Sequence, residues 1–212
     1  MSDLYLHLPN LLLAYGAYLV ATVSPGPSNM AIMGTAMSRG RLAALALSAG
    51  VLCGSLTWAL LAALGISALL ATYALALSAL KFIGGFYLLF LAYKSARAAM
   101  RAAAPVQAAA AAPLPPRALF VRGLLMHLTN PKAILAWIAI ISLSLPVSAP
   151  VSVTAAIILG CACIGVLVFG GYALLFSSLP MIRAYQKARR WIEGVFALFF
   201  GVAGIRLLTS RI

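Results

Sequence analysis

Residues 24–30 read SPGPSNM, and they interrupt an apolar run that extends from about residue 10 to residue 38. Two prolines, a glycine, two serines and an asparagine occupy the six positions from Ser24 to Asn29. Proline removes a helical donor and clashes with the preceding turn, so Pro25-Gly26-Pro27 predicts a local unwinding. Carbonyls freed inside hydrocarbon need partners, and the break must therefore face protein or a wet cavity. Ser28 and Asn29 suit the cap of a new helix. Such a helix start presents free N–H groups and a partial positive charge, which attract an anionic group.

The composition around this break is that of a membrane protein. Of 212 residues, 65% are hydrophobic and 8% charged. Apolar runs recur at lengths of about 20 residues, enough to cross a bilayer about 30 Å thick as helices, and they lack the alternation of strands. Six apolar segments are expected, over about residues 10–38, 42–64, 73–93, 119–145, 153–176 and 192–208. The expected fold is all-α, a polytopic membrane protein of six transmembrane helices forming a single domain. The N-terminus has no basic region and carries Asp3, so the first segment is expected to remain as a span rather than be cleaved.

The net charge of +13 invites a nucleic-acid reading, but the distribution opposes it. Most basic residues are expected in short loops between apolar segments, beside anionic lipid. Arg39 and Arg41 follow the first segment. Lys94, Arg97, Arg101, Arg117 and Arg122 separate the third and fourth, and Arg183, Lys187, Arg189 and Arg190 the fifth and sixth. The alternate loops, near residues 67–71 and 144–152, carry no Lys or Arg. These three basic loops face the cytoplasm and both termini lie outside it, with Arg206 and Arg211 the exceptions.

The fourth segment repeats the device of the first. LTNPKA, residues 128–133, places Thr129 and Asn130 before Pro131, and proline favours the first helical turn. Lys132 adds a full charge inside an apolar segment, a costly placement and a functional candidate. Residues 102–116, AAAPVQAAAAAPLPP, read as a cytoplasmic linker. The halves on either side, repeat 1 over about residues 8–98 and repeat 2 over about 119–210, with a linker over about 99–118, resemble each other. KFIGGFYLLFLAYKSAR (81–97) and RWIEGVFALFFGVAGIR (190–206) align without a gap. Three spans per half is an odd number, so the two repeats are inverted in the membrane. Paired broken helices in opposed repeats point to a midplane substrate site of a secondary transporter. A kink used only for packing is the competing reading.

Three stretches carry a resemblance to a known family: SPGPSNMAIMGTAMSRGRLAALALSAGVLCG, LKFIGGFYLLFLAYKSAR and LTNPKAILAW. Together, in order and at this spacing, they resemble the LysE/RhtB family of bacterial amino-acid exporters, over almost the whole chain. The resemblance implies export of amino acids or close derivatives across the inner membrane, driven by the proton gradient, with no cofactor. The positions that match the family pattern are Pro25, Gly26, Pro27, Asn29, Lys81, Gly84, Gly85, Asn130, Pro131 and Lys132. Three departures stand out. Ser28 displaces the asparagine that often follows Pro-Gly-Pro, SLSLPVSAP replaces an aromatic-rich stretch, and CACIGVLVFGG in the fifth span lacks the acidic residue of many relatives.

An amino-acid zwitterion needs a cation or helix start for its carboxylate and acceptors for its ammonium. The helix starts after Pro27 and at Pro131, with Lys132 and Lys81, suit the carboxylate. Carbonyls freed by the prolines, and the side-chain oxygens of Ser24, Asn29, Thr129 and Asn130, suit the ammonium. Lys81 has a second reading as a snorkelling residue near the outer surface. The candidates for proton coupling are His127, which titrates near neutral pH, and Glu193, which reads first as a cap or ion pair at the start of the sixth span and second as a proton carrier.

Other classes find less support. A metal exporter wants carboxylates, histidines or cysteine pairs along the path, and no metal site is expected. An enzyme wants a nucleophile with its base. Cys161 and Cys163 do not form a CxxC motif, and Cys53 has no mate. The glycines from Gly160 to Gly171 suit helix packing, in a scaffold or a homodimer.

Overall fold

The structure is a computed structural model that describes residues 6–70, 74–100, 114–145 and 149–209. Asp3, Arg211 and most of the expected linker lie outside the described residues, as does the side chain of Lys81. The described residues form helices joined by short turns, with no strand among them.

The first apolar segment is two helices, α1 (Leu8–Val23) and α2 (Pro27–Arg39), bent by 51° at the break. The fourth is likewise α5 (Pro116–Leu128) and α6 (Pro131–Ser144), bent by 61°. Between them come α3 (Arg41–Leu70) and α4 (Ala74–Met100); α7 (Val151–Leu175) and α8 (Leu179–Thr209) follow. Within α3 and α7, Arg41–Gly65 and Val151–Leu175 are each long and apolar enough to cross a membrane. Each bent pair passes as one further span, so the described residues give two to four by length and composition.

The expected basic loops are mostly helix. Arg183, Lys187, Arg189 and Arg190 lie inside α8, Lys94 and Arg97 inside α4, and Arg117 and Arg122 inside α5. Lys, Arg, Gln and Ala are good helix formers, so a helix runs on past the apolar stretch that hydropathy detects. The linker also ends sooner than expected, because Pro116 sits in the favoured first turn of α5. The link between α2 and α3 is the single residue Gly40, whose φ of 80° lies in the left-handed region that favours glycine.

Two compact units emerge, and they do not follow the two halves of the sequence. One holds residues 1–68 and 108–178, the other residues 69–107 and 179–212. In the second, α4 and α8 pack along their length. Gly85 meets Leu208, Leu89 meets Gly204 and Ala92 meets Gly201, so the two helices run antiparallel. Gly85, one of the family-pattern glycines, is thereby a point of close approach.

In the first unit, the helices also meet through glycine. A methyl group on Gly50 of α3 would strike the backbone carbonyl of Phe120, and one on Gly123 of α5 would strike that of Leu47. Gly54 packs on His127 further along, so α3 and α5 run parallel with their backbones in contact. Gly160 of α7 covers the ring of Tyr15, and Gly165 packs on Leu52 and the Tyr18 hydroxyl. Tyr15 also donates to the carbonyl of Ala156 (2.8 Å), and α1 and α7 run parallel. Two of the glycines expected to serve packing are thus used within the chain, whereas Gly170 and Gly171 have nothing within 4 Å of an added Cβ.

The backbone contact makes a graded prediction. Gly123→Ala should lower the thermal unfolding midpoint of the detergent-purified protein, because overpacking costs about 1–3 kcal/mol. Gly170→Ala should leave it unchanged or raise it, since helix propensity favours alanine. Equal midpoints for the two variants would show that α3 and α5 are not in backbone contact.

Candidate functional site

The two broken segments lie side by side and antiparallel, so that one break faces the other. Asn10 on α1 donates to the carbonyl of Ser144 at the end of α6 (3.0 Å). Tyr18 and Trp137 stack at a tilt with ring centroids 5.0 Å apart. Ser24 meets Lys132, and Ser28 on α2 meets His127 on α5. As residue numbers rise on one segment they fall on the other.

The first break leaves four carbonyls without helical partners, as a helix C-terminus does. Each has a side-chain donor instead. Ala21 receives the Ser24 hydroxyl at 3.0 Å. Thr22 receives the Asn29 amide at 2.6 Å, and Val23 the Tyr172 hydroxyl at 2.8 Å. Ser24 receives both Asn29 (3.1 Å) and the Lys132 ammonium (2.8 Å). Lys132 also donates to the Ser24 hydroxyl. It is 8% exposed, and its ammonium is held by the opposite break.

The expected capping roles at α2 change accordingly. The N-cap position is Gly26, with no side-chain cap bond, and Pro27 opens the helix. Asn29 points back to close the end of α1, because the carbonyls there are the groups left without donors. Ser28 turns across to α5: its hydroxyl lies 2.8 Å from His127 Nδ1 and accepts from Asn130 Nδ2 at 3.3 Å. Gly26 is extended (φ −158°), a conformation open to any residue. Its requirement is space, since an added Cβ would sit 3.1 Å from Lys132 Nζ and 3.2 Å from its Cδ.

At the second break Asn130 is the cap, and its Oδ1 accepts from the backbone N–H of Lys132 at 3.1 Å. Pro131 follows in the first turn. The carbonyl of Leu128 receives the indole N–H of Trp58 on α3 at 3.2 Å. Thr129 is exposed, and its hydroxyl folds back on the carbonyls of Leu125 and Met126 (2.9 and 3.3 Å). Its oxygen is turned away from the other break, because a threonine at a helix end can bond its own preceding turn.

Between the breaks lies a cavity of about 40 Å³. Of the sequence candidates, Gly26, Ser28, Asn29, Asn130, Lys132 and His127 line it, and Pro25 and Pro131 are not among the lining residues. Residues that the sequence did not mark complete the wall: Tyr18, Ala21 and Thr22 from α1, Ser55 from α3, Ala133, Ala136 and Trp137 from α6, and Phe169 from α7. Ser55 ties Tyr18 (3.0 Å) to the Trp137 indole (2.9 Å). A serine in an apolar segment was the available signal for this network, and Ser48 and Thr57 in the same segment offered the same signal. His127 and Phe169 meet edge to face, with centroids 5.9 Å apart.

Two sequence candidates belong to the second compact unit. Lys81 lies on α4, with its side chain outside the described residues. Glu193 does not open a helix: α8 begins at Leu179, which leaves Glu193 in the helix interior and 3% exposed. Its reading as a cap is therefore overturned. Cys53 and Cys163 are exposed and Cys161 is buried, all as free thiols. Among the described residues no group of three or more His, Cys, Asp or Glu side chains could hold a metal ion.

The sequence resembles known proteins along most of its length. Residues 19–211 match the family described as LysE type translocator. The threonine efflux protein of Escherichia coli (strain K12) is 32% identical over 204 residues, covering 92% of this chain and 95% of that protein. The threonine efflux protein of Salmonella typhi is 32% identical over 198 residues, with the same coverage. The leucine efflux protein of Salmonella choleraesuis (strain SC-B67) is 31% identical over 142 residues, 65% of this chain and 66% of that protein. No solved structure matches the chain. With a match that takes in nearly its whole length, the chain belongs to the LysE type translocator family, a family of transporters and not of enzymes.

Proposed function

We propose that this protein exports amino acids or close derivatives from the bacterial cytoplasm across the inner membrane, by proton antiport. The observation that carries the reading is the pair of opposed helix breaks around a small cavity into which a few buried polar groups point. Two helix starts, at Pro27 and Pro131, open beside a buried lysine, which suits a carboxylate. Ser28, Asn130 and His127 offer hydroxyl, amide and imidazole groups for the rest of a zwitterion. Efflux of threonine and leucine by the relatives agrees with this chemistry.

A six-span, inverted-repeat layout is part of this proposal, and the helix directions agree with it. Six alternating spans require the first and fifth to run parallel, as α1 and α7 do, and the second and fourth likewise, as α3 and α5 do. The third and sixth must oppose, as α4 and α8 do. The tethers repeat crosswise: Tyr172 of the fifth segment holds the first break, and Trp58 of the second holds the fourth-segment break. In this layout the basic helix ends face the cytoplasm and both termini lie outside it.

Proton coupling is assigned to His127, which lines the cavity and bonds to Ser28. Glu193, an acid buried in α8, is the second candidate. Protonation of His127 would place a second positive charge in the cavity beside Lys132. Substrate and proton would then alter each other's occupancy of the site.

Cells preloaded by dipeptide feeding should release a subset of amino acids faster when they express this protein. Asn130→Ala should reduce that efflux at least tenfold at unchanged membrane abundance, because it removes both the α6 cap and the bond to Ser28; unaltered efflux would refute the site. A graded response is expected at Gly26, with Gly26→Ala slowing export several-fold and Gly26→Val abolishing it. Export indifferent to both would show that Lys132 needs no space there. His127→Gln should lose gradient-driven efflux while substrate exchange at equal pH falls less, and a parallel loss of both would remove His127 as the proton carrier.

A further inference from the structure

Resting on the export reading, we infer that Ala21, Ala133 and Ala136 form a side-chain subsite that limits this exporter to small, neutral amino acids. The ammonium and amide groups of the cavity lie at the breaks, on Lys132, Asn29 and Asn130, while the polar atoms of Tyr18, Ser55 and Trp137 bond to one another. The alanines lie one turn to either side. Ala21 shares a face of α1 with Tyr18, and Ala133 and Ala136 share a face of α6 with Trp137, at the i, i+3 and i+4 spacing. Because α1 and α6 run antiparallel, the Ala21 methyl lies across from those of Ala133 and Ala136. Beyond them the Tyr18 and Trp137 rings, both bonded to Ser55, make a fixed stop. A substrate whose charged head sits at the breaks must put its side chain between these methyls and that stop.

The dimensions and charge of the site then define the substrate. A cavity of about 40 Å³ is far below the several hundred Å³ of sites for drug-sized ligands. No carboxylate is among the lining residues, and Lys132 already supplies a positive charge. A cationic side chain would meet repulsion with no partner. One methylene more or less in such a subsite is worth about tenfold or more in discrimination.

The test is a panel of glycine, alanine, threonine, leucine and lysine, with efflux measured from preloaded cells. The unaltered protein should favour the small neutral members and reject lysine. Ala136→Val should shift the alanine-to-threonine rate ratio at least tenfold toward alanine. Ala136→Gly should shift the threonine-to-leucine ratio toward leucine, which keeps the idea testable if the valine variant does not fold. Ratios unmoved by both substitutions, or lysine exported as well as threonine, would overturn the subsite and leave export standing. Absence of efflux for every member would overturn the export reading itself.

Discussion

A backbone carbonyl cannot be left bare in hydrocarbon, and this constraint organises the first unit of the structure. Pro25 and Pro27 deny the end of α1 its usual donors, and four carbonyls must be satisfied from elsewhere. The donors come from three directions: locally from Ser24, from Asn29 just beyond the break, and from Lys132 and Tyr172 far along the sequence. An unmade bond to a buried group costs about 1–3 kcal/mol, so these contacts fix which helices can lie beside the break. Lys132 has the largest stake. Its ammonium is held by a carbonyl and a hydroxyl of the opposite segment, and that bond keeps the two breaks face to face.

Glycine provides the second constraint. Where Gly50 and Gly123 cross, the two backbones touch, and Gly54 brings His127 to the site on the same helix pair. The parallel pairing of α3 with α5 is therefore what aims the imidazole at Ser28. Fold and site are coupled here through the absence of side chains rather than through their chemistry.

Much of this was legible in the sequence for a physical reason: proline and lysine inside apolar runs are costly, and each marks its position. The breaks at Pro25 and Pro131, the cap at Asn130 and the burial of Lys132 follow from local rules. The direction of a polar side chain around a helix does not. Asn29 reads as a cap for the helix that follows and in fact closes the helix before it. Thr129 and Ser28 carry similar hydroxyls, yet one faces outward and the other the cavity. Tyr18, Ser55 and Trp137 lie on runs apolar on all sides, which carry no angular signal. Glu193 was misplaced because hydropathy detects the apolar part of α8 and not its basic beginning.

The crosswise tethers have a consequence for how the molecule holds together. Val23 depends on Tyr172, and Leu128 depends on Trp58, so each proline break is completed by a helix from the other half of the chain. Neither half contains all the donors that its own break requires. A half synthesised alone would carry an open carbonyl into the bilayer until the other arrived. Integrity thus arises from mutual completion across the middle of the sequence, and an unbroken peptide between the halves is secondary to it.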